Sequence, residues 1–356
     1  MMAIFQISLY IVLCLITVLI YSKSGKNKVS TKKIILISLL FALYNMICTN
    51  FSTRTVGDRA NYLYEFLGYR STSTGLTYIF KFVKLFSSNI NVAFYLITFI
   101  CCFITFYCFF NNKYANKYSL IFLLITDYIF FTFIALKQCF VCAIASLIFY
   151  LIFNKGTKYK YVISAILVYI ACLFHSTGFL LIPIVLTFFL YRRKKFKPTL
   201  LIIILLIIML SFNGLLSFIV NNFSNYMPTL TGKIIEYFYT DGIYTESKLA
   251  FLKGLPFYFI SIIGVFNYKK YSIIKNYDKL LVLSFIGSFA YFITFISYWM
   301  YRITAIFYLP ISLLFGYVYI NEKKAKNRLL YFIICILLEL IILVRWLYME
   351  FMSGGF

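Results

Sequence analysis

Twelve long apolar runs, nearly free of charge, constrain what this chain can fold into more than any single motif does. A run of about 20 apolar residues is enough to cross the hydrocarbon core of a bilayer. Inside lipid, every backbone N–H and C=O has to be satisfied within a helix or a closed barrel. Runs this continuous predict helices, so the expected fold class is all-α: a polytopic transmembrane helical bundle forming a single domain over residues 1–356. Of the 356 residues, 63% are apolar, well above the roughly half that is usual in soluble domains.

The runs lie at 3–21, 34–50, 91–110, 118–134, 136–153, 161–174, 177–191, 199–213, 250–267, 279–297, 303–320 and 329–347. The first has no basic segment ahead of it and no small-residue cleavage site behind it. It therefore reads as a retained helix rather than a signal peptide. Six short connectors on one side hold 23 of the 34 Lys and Arg residues but only two acids, Asp278 and Glu322. They carry Lys23, Lys26, Lys28, Lys32 and Lys33; Lys113 and Lys117; Lys155, Lys158 and Lys160; Arg192 to Lys195 with Lys197; Lys269, Lys270, Lys275 and Lys279; and Lys323, Lys324, Lys326 and Arg328.

Such an excess marks the cytoplasmic side, which sets both termini outside. The formal net charge of +24 thus follows from topology, and no nucleic-acid partner is expected. Two outside loops, about 51–90 and 214–249, are long enough to form a lid. The second half of the first loop alternates apolar residues with Lys81 and Lys84 and predicts an amphipathic interfacial or re-entrant helix.

The nine cysteines fall mostly inside apolar runs, as with Cys101, Cys102, Cys108, Cys139, Cys142 and Cys172, and show no metal-ligand spacing around the single histidine. They read as small packing residues, and neither a metal nor a cofactor is expected.

Ionisable groups are costly in lipid, about 2.5 to 3.5 kcal/mol each at the bilayer centre by insertion scales, so those near the outer ends of spans are the candidates for chemistry. Arg54 and Arg59 flank Asp58 just after the second run, with Gly57 permitting a turn and Tyr62 following. This is either an anion clamp with Asp58 as base or a loop in which Asp58 caps a helix. Lys137 and Gln138 open the fifth run; Lys137 either snorkels to the interface or pairs with Asp127 across the hairpin. His175 sits in the turn between the sixth and seventh runs, where it either exchanges a proton at ordinary pH or serves as a hydrogen-bonded turn residue beside Ser176.

Arg302 opens the eleventh run beside Trp299 and Tyr301. Its planar fork of donors suits phosphate oxygens; otherwise it anchors an aromatic belt. Glu339 and Arg345 are six apart in the last run, off a common helix face, and read as structural. No pair of carboxylates is spaced for a divalent cation. The candidates together predict a cation-lined cavity at the outer face, suited to a lipid-linked phosphate.

The order of these groups resembles the EpsG family, polytopic proteins of exopolysaccharide synthesis similar to the Wzy-type O-antigen and capsule repeat-unit polymerases. The resemblance rests on Asp58, Arg59 and Tyr62 after the second run, Lys137-Gln138, Phe174-His175 with Phe179 and Pro183, and Arg302 with Phe307 and Tyr308. It extends from about Arg54 to Phe307. Two departures stand out: Lys137 falls where the family usually has Arg, and Ser73-Thr74-Gly75 falls where it often has an acid. The second departure moves the role of a general base onto Asp58 or His175.

The resemblance implies a GT-C-like fold in a bacterial cell (inner) membrane and metal-independent glycosyl transfer between polyprenyl diphosphate-linked oligosaccharides, with membrane lipid, a flippase and a chain-length regulator as partners. Arg302 and Lys137 would meet the diphosphate, Arg54 and Arg59 the second substrate, and His175 or Asp58 would deprotonate the acceptor. Gln138, Tyr62, Trp299 and Tyr301 would line the substrate. Three other classes remain: a lipid-linked oligosaccharide flippase, whose charges should lie at mid-membrane and on both leaflets; a monosaccharide transferase, whose acidic pair in the first outer loop has no counterpart beside Asp58; and an O-acyltransferase using His175 as base to decorate surface glycan.

Overall fold

The computed structural model describes residues 2–24, 29–51, 58–69, 71, 73–126, 135–153, 159–190, 254–272, 276–292 and 301–344, with a few positions between 217 and 235. The elements used below are all helical. The first seven are α1 Met2–Lys23, α2 Thr31–Phe51, α3 Arg59–Leu67, α4 Thr74–Lys84, α5 Ile90–Phe110, α6 Lys117–Ile125 and α7 Leu136–Phe153. Then come α8 Lys160–Phe174 and a 3-10 turn, Ser176–Leu180, that runs into α9 Leu181–Leu190. α10 Leu255–Phe266 carries a further turn, Tyr268–Tyr271, and precedes α11 Tyr277–Phe292. The turns Tyr301–Thr304 and Ala305–Phe307 lead into α12 Tyr308–Asn321, and α13 Ala325–Phe332 continues through a π-helical turn, Ile333–Leu337.

Among the described residues, six stretches are long and apolar enough to cross a membrane: Ile4–Lys23, Thr31–Cys48, Ile90–Phe110, Leu136–Phe153, Arg302–Asn321 and Ala325–Val344. Lys160–Phe174, Ser176–Leu190 and Leu255–Phe266 are apolar but shorter. Of the run expected as one span over 118–134, residues 127–134 lie outside the described residues. α6 stops at Ile125 because Thr126 turns extended (ψ 160°) and its hydroxyl donates back to the Leu123 carbonyl at 2.7 Å. Nine helical residues rise only about 14 Å, too little to cross alone. The expected run 199–213 and most of the loop 214–249 lie outside the described residues.

α7 and α12 form the interior. Almost every position of α7 is buried, as is α12 from Tyr308 to Val318. α5 and α8 lie along α7, α2 lies along α5, and α6, α10 and α11 surround α12. α1 and α13 occupy the outside and expose apolar side chains such as Phe5, Leu15, Leu19, Leu329 and Ile341, a face suited to lipid. Several polar groups between helices are matched across the bundle. Asn45 donates to Thr98 from α2 to α5, Tyr44 to the Gln6 carbonyl at 3.1 Å, Tyr10 to the Leu124 carbonyl, and Ser261 meets Ser288 at 2.7 Å.

The two ends of the bundle carry different chemistry. At the lysine-rich end, the Glu322 carboxylate takes the Lys270 ammonium at 3.0 Å, the Lys324 N–H at 3.0 Å, and the hydroxyls of Tyr271 and Tyr331 at 3.4 Å each. Asn276, in the left-handed region at φ 70°, donates to the Phe153 carbonyl at 2.8 Å and so closes the end of α7. At the opposite end, α3 and α4 form a short helical pair, of which α4 is the amphipathic helix expected for the second half of the first outer loop. Tyr62, Glu65 and Phe66 of α3 face inward with Leu76, Phe80 and Val83 of α4. Gly68 ends α3 at φ 95°, a conformation that favours glycine, and turns the chain back into α4.

Candidate active site

Four chain segments converge on one cavity of about 540 Å³ at the α3–α4 end of the bundle. α3 brings Asp58 and Tyr62; the first turn of α7 brings Lys137 and Gln138; the end of α8 brings Cys172, Phe174 and His175; and the turn before α12 brings Arg302. Ser73 and Thr74 from the start of α4 complete one wall. Of the candidates expected to bind substrate or act in catalysis, six therefore line a common space: Asp58, Tyr62, Lys137, Gln138, His175 and Arg302. Arg59 opens α3 and Tyr301 opens the turn before α12, with only their backbones described. Arg54, Asp127, Trp299 and Arg345 lie outside the described residues.

Among the described residues, both cations that line the cavity face a carboxylate. Arg302 lies 3.9 Å from Asp58 Oδ2, and Lys137 Nζ lies 3.4 Å from Glu65 Oε2. The two pairs differ in kind. Asp58 is 39% exposed, and a pair of this sort contributes up to about 1 kcal/mol, so an incoming anion can displace it. Asp58 stands at the N-cap of α3 but makes no side-chain capping bond, so the capping alternative does not describe it. Glu65 is fully buried; Oε1 takes the Thr77 hydroxyl at 3.0 Å and the Ser73 N–H at 3.4 Å. Among the described residues the carboxylate beside Lys137 is Glu65; Asp127, the partner the sequence suggested, lies outside them.

Tyr62 is buried beneath this pair. The Lys137 ammonium sits 5.4 Å over its ring, so that face carries a cation rather than standing open to a sugar. Burial raises the Tyr62 hydroxyl well above its ordinary value, and the nearby Asp58 carboxylate adds to the rise; the group remains a donor throughout the physiological range. Phe174 and Phe140 stack at 4.0 Å with planes 3° apart, giving the cavity a rigid aromatic floor. Cys101, Cys102, Cys108, Cys139 and Cys142 are buried packing residues, whereas Cys172 is half-buried on the cavity wall. Among the described residues no cluster of three or more His, Cys, Asp or Glu converges on a point.

His175 belongs to a chain of hydrogen bonds that reaches Arg302. Gln138 donates through Nε2 to the Arg302 carbonyl at 2.8 Å, which leaves its Oε1 to accept the Thr177 hydroxyl at 2.8 Å. Thr177 Oγ1 then lies 2.9 Å from His175 Nδ1 with a lone pair to offer, while the Thr177 N–H approaches the same nitrogen at 3.2 Å. A proton on Nδ1 satisfies the first contact, and a bare Nδ1 the second, so the site holds the ring in one orientation in either state. The turn carrying these groups presses on α8: a Cβ at Gly178 would stand 2.7 Å from the Ala171 carbonyl carbon, so only glycine allows this approach.

Three site residues were not foreseen. Glu65 reads as a polar residue of a short amphipathic helix, yet it falls three residues after Tyr62 and one before Phe66, on the face those aromatics bury. That spacing was the available signal. Thr177 gave none beyond its place beside His175. Ser73 lines the cavity with its hydroxyl oxygen shielded and without a hydrogen-bond partner among the described residues, at the place where the resemblance led us to expect an acid.

Two cations, a histidine and an exposed carboxylate around one space, with the N-terminal end of α7 pointing at it, suit a ligand with phosphate oxygens. No curated protein and no solved structure matches the chain. The sequence profile of the EpsG family matches residues 51–356, the whole stretch that builds the cavity. Membership points to a membrane polysaccharide polymerase-type role. The chain belongs to the EpsG family.

Proposed function

We propose that the protein polymerises lipid-linked oligosaccharide repeat units at the outer face of a bacterial cell membrane, in a twelve-span topology with both termini outside. A growing glycan on its polyprenyl diphosphate is transferred to a hydroxyl of an incoming lipid-linked unit, for O-antigen, capsule or exopolysaccharide. The acceptor oxygen bonds to the anomeric carbon, the bond from that carbon to the diphosphate oxygen breaks, and the electron pair leaves with the diphosphate. The acceptor proton passes to His175 or Asp58. A flippase delivers the units, and a chain-length regulator acts on the product.

The observation that carries this reading is the meeting of Arg302, Lys137, His175 and Asp58 in one cavity. Charge develops on the leaving diphosphate, and fixed cations aimed at developing charge usually supply the largest single term in catalysis. Arg302 presents a planar fork to the phosphate oxygens and Lys137 a point charge. Diphosphate binding draws Arg302 away from Asp58, which frees a carboxylate at the moment a base is needed.

Deletion of the gene in its own host, followed by gel analysis of lipid-linked surface glycan beside a complemented strain, tests the proposal. The expected result is loss of the long ladder with a single repeat unit still reaching the surface. Loss of the single unit as well would make the protein a flippase. An intact ladder with an altered sugar or acyl group would make it a decorating transferase.

A further inference from the structure

The buried carboxylate of Glu65 has a role that the proposed chemistry leaves open. We infer that Glu65 is a positioning residue that keeps the Lys137 ammonium charged and aimed into the cavity, so that a diphosphate meets a fixed cation there. The identity of the anion rests on the reading above; the action of Glu65 on Lys137 does not.

Lys137 sits where an ammonium is hard to keep charged. Its side chain is only 13% exposed, and burial disfavours an ammonium. It occupies the second position of α7, at the positive end of the helix dipole, where a cation is again disfavoured. Arg302 adds a like charge in the same cavity. Lysine, unlike arginine, loses its proton under such conditions. Against these stand the Tyr62 ring face and Glu65, with Asp58 across the cavity beside Arg302. Among the described residues, the other titratable groups facing the space are His175 and Cys172.

Glu65 is equipped for this task by its surroundings. The Thr77 hydroxyl and the Ser73 N–H, both from the start of α4, hold Oε1, so Oε2 is presented to Lys137 at 3.4 Å. The α3–α4 pair thereby serves as a rigid arm that brings one negative charge to the root of α7. Because Glu65 has no exposed surface, an incoming anion can compete it away far less readily than Asp58. The cavity then has one cation released on binding, Arg302, and one permanently supported, Lys137.

The test uses the full-length protein in lipid nanodiscs with its lysine ε-carbons labelled with carbon-13, titrated by NMR. The Lys137 signal is identified by its absence from Lys137→Arg. In wild type the signal should remain that of a charged ammonium to high pH. Glu65→Gln, nearly the same shape, should lower the midpoint by about one pH unit or more. Glu65→Asp, one methylene shorter, should lower it by less. Midpoints equal to wild type in both variants would overturn the inference.

A second measurement follows polymer synthesis against pH in membranes. In Glu65→Gln the alkaline limb should move to lower pH, and Glu65→Gln/Lys137→Arg should move it back, because the guanidinium keeps its charge. A limb unmoved in Glu65→Gln would count against the proposal. Inorganic pyrophosphate, added in the NMR titration, separates the two claims. If Glu65→Gln lowers the midpoint but pyrophosphate leaves the wild-type Lys137 signal unshifted, the role of Glu65 stands and the diphosphate reading fails.

Discussion

Arg302 and Lys137 carry the same charge but would do different work in the proposed reaction, and substitution separates them. Arg302→Ala removes the fork from the leaving group and should reduce turnover about 10²- to 10³-fold. Arg302→Lys, which keeps the charge but loses bidentate geometry, should fall between that value and wild type. Assay of polymer formed in isolated membranes at matched protein level checks both. Thr177→Val removes the hydroxyl that links Gln138 to His175 but keeps the backbone N–H. It should lower turnover about tenfold by loosening the ring and leave substrate affinity near wild type, which steady-state kinetics resolves.

At this scale the charged candidates were legible because charges are rare in apolar runs: Asp58, Lys137, His175 and Arg302 could each be picked out alone. Their pairing was not legible. Distances between residues from α3, α7 and the turn before α12 depend on packing, and a buried Glu65 looks in sequence like any polar residue of a surface helix.

Helix lengths and close approaches decide how well those residues are held. The apolar runs that became α2, α5, α7, α12 and α13 were readable within a few residues, since a continuous run with basic flanks leaves a helix little choice. Within the run 118–134, Thr126 ends α6 through its own hydroxyl, a break that continuous apolar character does not announce; 127–134 lie outside the described residues. Of the α3–α4 pair, α4 was foreseen as the amphipathic helix of the first outer loop, while α3, which Gly68 ends, was not. Gly178→Ala places a methyl against the α8 backbone. The substitution should destabilise the fold by about 1 to 3 kcal/mol and displace His175 and Thr177 together. A lowered melting temperature in detergent, accompanied by loss of activity, is the expected pair of readings.

Across the whole molecule, the two ends of the bundle divide anchoring from chemistry. The lysine-rich end is tied by Glu322, which joins the turn after α10 to the junction of α12 and α13. Burial pushes its carboxyl up, but the Lys324 N–H, the Lys270 ammonium and Asn327 outweigh burial and hold it down at about 2, from an ordinary 4.5. A carboxyl depressed on folding contributes stability that is fully present above pH 4.5 and is lost as pH falls toward 2. Unfolding in detergent over that window should be less steep in Glu322→Gln than in wild type.

The opposite end gathers the groups of the cavity, where the proposed function has the polymer built. The most direct measurement is gel analysis of lipid-linked surface glycan in a deletion strain that carries Arg302→Ala, with the amount of variant in the membrane matched to wild type. The long ladder should vanish while the single repeat unit persists at the surface. A full ladder from a strain holding normal amounts of Arg302→Ala would contradict the proposed function.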